Sequence, residues 1–199
     1  MSEVNFGNDG DFSDRSMVLK TNANLSNELG NLCQRTLTMV HKNCKAAVPA
    51  VGLYTDDDLA MLQSAEGLWM RAATAMSTQA IHKYVEVMVQ QIVSTNKYIN
   101  DMAPWVLLKT DPQRMATVLY VIMEVLRYAA IVYQPLIPES ANKILDQLRI
   151  SKHERSFSHL TTAYSIKAGT PIAKPEVIFP RFDVRCFEEI VESPAAPTR

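Results

Sequence analysis

Apolar residues recur at the helical period of 3.6 in five successive segments, each bounded by a cap residue or a proline. This patterning limits the chain to an all-α architecture. Val18, Leu25, Leu29, Leu32 and Val40 form the first stripe, on a helix predicted from Ser13 as N-cap to about Lys42. Residues 43–54, with Pro49 and Gly52, read as a loop. Thr55 followed by Asp56, Asp57 and Asp58 starts a second helix, with acid at the positive end of its dipole. That helix is predicted to bury Leu62, Ala65, Trp69, Ala72 and Met76. Ser77 caps a third helix carrying Ile81, Val85, Met88, Ile92 and Ile99. It stops near Ala103, because Pro104 disfavours helix in the residue before it. Asp111 and Pro112, a cap and a proline at the first helical position, open a fourth helix. It carries Met115, Leu119, Ile122, Leu126, Ala129 and Tyr133 and ends at Pro135. Pro138 and Glu139 open a short fifth helix through Leu148, with Ile144, Leu145 and Leu148 inward. Beyond residue 150 the chain reads as extended, its prolines confining 169–172 and 177–182 to edges or loops. The expectation is an antiparallel bundle of four to five helices with an extended C-terminal tail. Residues 13–150 form the bundle, 151–183 a tail packing back on the protein, and 184–199 a disordered end.

Apolar residues make up 47% of the chain, enough for a packed core, while the formal net charge is only −1. A domain that holds nucleic acid by phosphate attraction alone is strongly basic, so any such recognition here must rest on a few well-placed groups. Cys33, Cys44 and Cys186 are an odd, widely spaced set without a CxxC pair, which suggests neither a zinc site nor a disulfide framework. No run approaches ~18 consecutive apolar residues, so no transmembrane helix and no membrane partner are expected. The acidic N-terminus has no apolar core and reads as neither signal nor transit peptide. The ten methionines fall on apolar helix faces and read as core filling. The chain lacks a Glu-x-x-His pair, a Walker-type phosphate loop and a dinucleotide-binding glycine motif. His41, His82, His153 and His159 are scattered, the last two in a polar stretch where they read as solvated. No catalytic residue, no metal site and no cofactor bound by this chain are therefore expected.

Two features remain. The first helix contains Asn22, Asn24, Asn27, Gly30 and Asn31, all poor helix formers. Places where local propensity is sacrificed are often functional. Asn27, Asn31 and Arg35 are spaced i, i+4, i+8 on one helix face, where amides and a guanidinium offer donors and acceptors to one planar base edge. The alternative is structural: the asparagines satisfy buried backbone groups at a helix crossing, and Arg35 is a solvated charge. The second feature is Asn100 to Trp105, with Trp105 directly after Pro104 at the turn that follows the third helix. Trp105 reads either as a plug at the end of the core or as a platform on which an unpaired base stacks.

These residues carry a resemblance. Phe6 to Ser13 resembles the segment that follows the catalytic domain in bacterial and organellar methionyl-tRNA synthetases. Asn22 to Arg35 is similar to their next helix, Tyr98-Ile99-Asn100 with Ala103-Pro104-Trp105 to their second anticodon element, and Pro135 to Pro138 and Pro175 to Arg181 to later segments. The likeness covers residues 3 to 182. It implies that Asn31 and Arg35 recognise the first anticodon base, the cytosine of CAU, and that Trp105, held by Pro104, stacks on an anticodon base. Asn27 and Asn100 complete the implied anticodon-binding set. It implies, as partners, initiator and elongator methionine tRNA and the catalytic domain of the same enzyme. That enzyme is a class I ligase joining methionine to its tRNA, using ATP with magnesium through an adenylate. The family's His-Ile-Gly-His-like and Lys-Met-Ser-Lys-Ser-like motifs are absent from this sequence. The isolated chain is thus expected to be a catalytically inactive fragment, with residues 1–12 the remnant of the linker after the catalytic domain. Its expected location is the cytoplasm or an organelle, mitochondrion or plastid, and not the exterior. The alternative is a free-standing helical RNA- or protein-interaction module derived from that enzyme, without ligase activity. The low net charge favours this alternative; the Asn31, Arg35 and Trp105 set favours the first reading.

Overall fold

The computed structural model of the protein describes residues 14 to 183. The expected linker over 1–12, the Ser13 cap, Cys186 and the end over 184–199 lie outside the described residues. The first helix runs unbroken from Asp14 to Asn43, but its middle is wider than an α-helix. α1 (Asp14–Lys20) passes into a π-helical segment (Thr21–Gly30), which passes into α2 (Asn31–Asn43). Lys20, Gly30 and Asn31 all keep right-handed helical angles, so the rod continues through both junctions. The Asn31 amide reaches back five residues to the Ser26 carbonyl. The asparagine- and glycine-rich stretch, with little α-propensity to lose, is where the widening occurs. Val18, Leu29, Leu32 and Val40 are buried and Leu25 is partly buried, as the stripe requires.

α3 (Asp56–Glu66) starts with a capping box in which Thr55 and Asp58 satisfy each other's backbone amides. The second helix does not continue unbroken to residue 76. Gly67 takes the bridge conformation (φ −75°, ψ −8°) and separates α3 from α4 (Leu68–Ser77). A Cβ on Gly67 would sit 2.9 Å from Nη1 of Arg71, whose other terminal nitrogen donates across the break to the Ser64 carbonyl (3.0 Å). Met76, expected inside, is exposed. Ser77 is not the cap of the next helix. Its hydroxyl donates to the Thr74 carbonyl (2.8 Å), and that of Thr78 to the Ala75 carbonyl (3.1 Å), so both close α4. α5 (Ile81–Met102) begins after a left-handed Gln79 with no side-chain cap, and Ile81 and Val85 are only half-buried. A short helix that the periodicity did not show, α6 (Pro104–Thr110), precedes α7 (Pro112–Tyr133) and α8 (Pro138–Gln147). The Asp111 carboxylate accepts from the Arg114 amide (3.0 Å), the cap its position predicts.

α7 is the centre of the bundle and packs against α2, α3, α4, α5, α6 and α8. Every residue from Thr117 to Tyr133 is buried, so its expected one-sided stripe is in fact an all-round apolar surface. By length and composition α7 could cross a membrane, yet 94% of its most apolar window is enclosed by the other helices. Its Glu124–Arg127 ion pair (2.9 Å) is buried. Arg127 also donates to the His159 carbonyl (2.9 Å), and Glu124 accepts from the Ile166 amide (2.5 Å). A buried pair in which both carboxylate oxygens accept ties the following chain to the core.

That following chain is extended only in part. Three single 3₁₀ turns (Lys152–Glu154, Phe157–His159, Thr162–Tyr164) come first. Phe157 stacks on Trp69 with ring centroids 3.9 Å apart. His159 is not merely solvated: its Nδ1 caps the turn at the Ser156 hydroxyl (2.7 Å), and its ring meets Tyr164 edge-on. Residues 169–172 then pair with the loop after α2, through Gly169 N to Val48 O (2.8 Å) and Ile172 N to Ala46 O (2.8 Å). This single antiparallel bridge, between Ala47 and Pro171, is the only β pairing among the described residues.

Candidate nucleic-acid interface

Arg35, Asn100 and Trp105 come from three elements and meet at one place. Arg35 lies on α2, Asn100 in the last turn of α5, and Trp105 in the first turn of α6. Nη2 of Arg35 donates to Oδ1 of Asn100 (3.1 Å), and its guanidinium lies 5.0 Å from the centroid of the Trp105 ring. The amide and the cation–π contact hold the guanidinium with donors to spare. Trp105 keeps 43% of its surface exposed, so it is not the core plug that one reading of the sequence allowed.

A strained turn sets this geometry. Pro104 excludes α-helical angles from Ala103, which instead takes the left-handed conformation (φ 42°, ψ 60°). That costs a residue with a Cβ about 1–2 kcal/mol. Hydrogen bonds on both sides hold it: Ala103 N to Ile99 O (3.0 Å), and Val106 N to Ala103 O (2.8 Å). Pro104 is buried at the first position of α6, and the indole after it is swung outward. The end of α5 is anchored by Asp58, which accepts from Tyr98 and from both terminal nitrogens of Arg114. Arg114 in turn lies 3.4 Å from the Met102 sulfur. Burial alone would raise the Asp58 carboxyl. The hydrogen bonds from Arg114, Tyr98 and the Thr55 amide, with the guanidinium charge, outweigh it and hold the group below the usual carboxylate value.

Asn27 and Asn31 stand apart from this cluster, on the same rod. Both are exposed, and neither side chain forms a hydrogen bond to another described residue. The structural alternative, amides spent on buried backbone, therefore does not describe them. They line a cleft of about 330 Å³ with Gln34 on the helix side and Val177, Ile178 and Phe179 on the tail side. The buried-polar role falls to residues that the sequence reading passed over. Asn22 is buried and pairs with the Phe182 backbone in both directions, donating to its carbonyl (2.8 Å) and accepting from its amide (2.9 Å). Ser26 donates to the Pro180 carbonyl (3.2 Å), and a Cβ on Gly30 would sit 3.3 Å from Cβ of Phe179. Asn22, Ser26 and Gly30 repeat the i, i+4, i+8 spacing of Asn27, Asn31 and Arg35. That second, parallel stripe was the signal available in the sequence. Among the described residues no group of three or more His, Cys, Asp or Glu is placed to hold a metal ion.

The profile of the anticodon binding domain of methionyl tRNA ligase matches residues 48–192. The methionine–tRNA ligase of Rhizobium meliloti (strain 1021) is 43% identical over 182 residues, covering 92% of this chain and 35% of that protein. The enzyme of Rickettsia felis is 44% identical over 186 residues, covering 92% of this chain and 36% of that protein. The crystal structure of apo Mycobacterium tuberculosis methionyl-tRNA synthetase superposes with a TM-score of 0.87 at 42% identity, over 91% of this chain and 37% of that one. The same enzyme bound by methionyl-adenylate gives 0.86 at 42% identity, over 89% and 36%. Fold and profile together define a helical anticodon-binding domain. The chain belongs to the methionyl-tRNA ligase family. It spans about a third of the length of the curated relatives it matches.

Proposed function

We propose that this chain recognises the CAU anticodon of methionine tRNAs, initiator and elongator, as the RNA-reading part of a methionine–tRNA ligase. The observation that carries this is the meeting of Arg35, Asn100 and the half-exposed Trp105, on the same rod as the amides of Asn27 and Asn31, which form no hydrogen bond to another described residue. Cytosine presents two acceptors and one donor on its pairing edge. Arg35 supplies donors to the acceptors, and the Asn31 carboxamide supplies an acceptor to the exocyclic amine. Uracil reverses the pattern at two of the three positions and leaves the site groups unpaired, which is the penalty that discriminates. Trp105 offers a flat face for stacking. Joining methionine to tRNA, with ATP and magnesium through an adenylate, belongs to the part of the relatives that this chain does not span. Alone, the chain is proposed to be inactive in that reaction, with the catalytic domain of the same enzyme as its partner.

The test is a set of titrations of a CAU stem-loop and one with the cytosine changed to uracil, at one fixed salt concentration. The wild type binds the matched RNA more tightly. Arg35→Ala and Asn31→Ala each shrink the difference by about 1–3 kcal/mol, the scale of a good base contact. Equal weakening of both RNAs by Arg35→Ala would make Arg35 a phosphate clamp and refute the base-reading role.

A further inference from the structure

We infer that the C-terminal segment from Val177 to Phe182 is the second wall of the RNA cleft, with Val177 contacting a base and Arg181 a phosphate. The inference rests on the proposed anticodon recognition and goes beyond it, because it assigns RNA contacts to the tail. Three observations carry it. First, the segment is fixed to the RNA-reading rod rather than to the core alone. Asn22 holds the Phe182 backbone with two hydrogen bonds, and Ser26 holds the Pro180 carbonyl. Gly30 lets Phe179 approach so closely that an added Cβ would lie 3.3 Å from the Phe179 Cβ. Second, Val177 is 69% exposed, an aliphatic group with no place in the core, yet it faces Asn27 and Asn31 across the cleft. Apolar contact with the flat of a base is the chemistry such a wall offers beside two amides. Third, Asn27 lines this cleft and also a neighbouring hollow of about 560 Å³, so both open onto that residue. Arg181 is the only cation lining the hollow among the described residues, and no ion pair there engages it. Asp183 lines the same hollow and opposes an anion, so the phosphate contact depends on Arg181. In a chain of net charge −1, one placed guanidinium beside the base edge positions the RNA backbone without a basic surface.

The test uses the full chain with the matched and mismatched stem-loops, across a series of salt concentrations. Val177→Ala is expected to weaken the matched RNA roughly four- to fifteenfold, the loss of one to two buried methyls, with an unchanged salt slope. Arg181→Ala is expected to weaken both RNAs alike and to lower the slope of log affinity against log salt by about 0.7, one single-strand phosphate contact. Lys174→Ala, a tail cation outside the hollow, serves as control and leaves the slope unchanged. Asn22→Ala is expected to speed exchange of the Phe182 amide and to weaken the matched RNA, while helix content holds. If Arg35→Ala shrinks discrimination as proposed but Val177→Ala and Arg181→Ala bind like wild type, the tail wall is wrong and anticodon reading stands. If Lys174→Ala matches Arg181→Ala, the effect is general charge and the assigned contact is overturned. If the wild-type chain does not distinguish the two RNAs, anticodon reading and tail wall fall together.

Discussion

Replacing Asp58 by asparagine tests whether one buried carboxylate fixes the end of α5 from which the RNA-facing turn departs. The Asp58 side chain has no exposed surface, and that of its partner Arg114 keeps 17%. One oxygen accepts from Tyr98 and Nη2 of Arg114, the other from Nη1 of Arg114 and the Thr55 amide. Whichever way an asparagine amide turns, its NH₂ faces a terminal nitrogen of Arg114, so one guanidinium bond is lost with the charge, and the Thr55 capping bond goes too if the NH₂ takes that side. Breaking a buried pair costs about 3–5 kcal/mol, and the partial hydration of Arg114 places this case near 3 kcal/mol. For a domain of this size the melting temperature should fall by about 6–12 °C. The pH dependence follows from the lowered carboxyl. A group depressed on folding stabilises fully above its unfolded value, here 3.8, and loses that contribution as pH falls towards its folded value. Urea melts of wild type and Asp58→Asn should therefore differ fully at neutral pH and converge below pH 3.8. A loss under ~1 kcal/mol at neutral pH, or a difference that persists unchanged to about pH 2.5, refutes the assignment.

Trp105→Ala should weaken the matched stem-loop by about 1–3 kcal/mol, while stability falls only by the cation–π contact with Arg35, about 0.5–1 kcal/mol. A melting change on the scale of a buried tryptophan would instead make it a core residue. Gly30→Ala places a Cβ 3.0 Å from the Leu25 carbonyl oxygen and 3.3 Å from the Cβ of Phe179. The tail should shift although the helix gains about 1 kcal/mol of propensity, and faster exchange of the Phe182 amide, held by Asn22, reports the shift. Burial pushes the Cys33 thiol up to about 12, so in the folded protein at pH 8 an alkylating reagent should modify Cys44 well before Cys33, as peptide mapping reads directly.

Wherever the rule is local, the sequence was sufficient. Asp111-Pro112 begins a helix because a carboxylate caps it and proline tolerates its first turn, and Pro104 ends α5 because its ring crowds the residue before it. The all-α class, the stripe through Leu29, Leu32 and Val40, and the placement of Asn27 and Asn31 on one helix face follow from periodicity alone, whereas their exposure does not. Tertiary packing decided the rest, because it depends on partners remote along the chain. Ser77 carries the same hydroxyl as a true cap, and only the turn before it determines that the proton goes backward to Thr74. The break at Gly67 was not read from the apolar stripe, which runs on to residue 76; Arg71 folding back onto Ser64 spans it. α7 is buried on every side because six helices surround it, which no single amphipathic stripe records. The asparagines of the first helix look alike in sequence. Asn22 meets Phe182, 160 residues away, and is consumed as structure, while Asn27 and Asn31 form no hydrogen bond to another described residue. Arg35, Asn100 and Trp105 likewise became one site only when the bundle closed, since a hydrogen bond and a ring contact across 65 to 70 residues have no local signature.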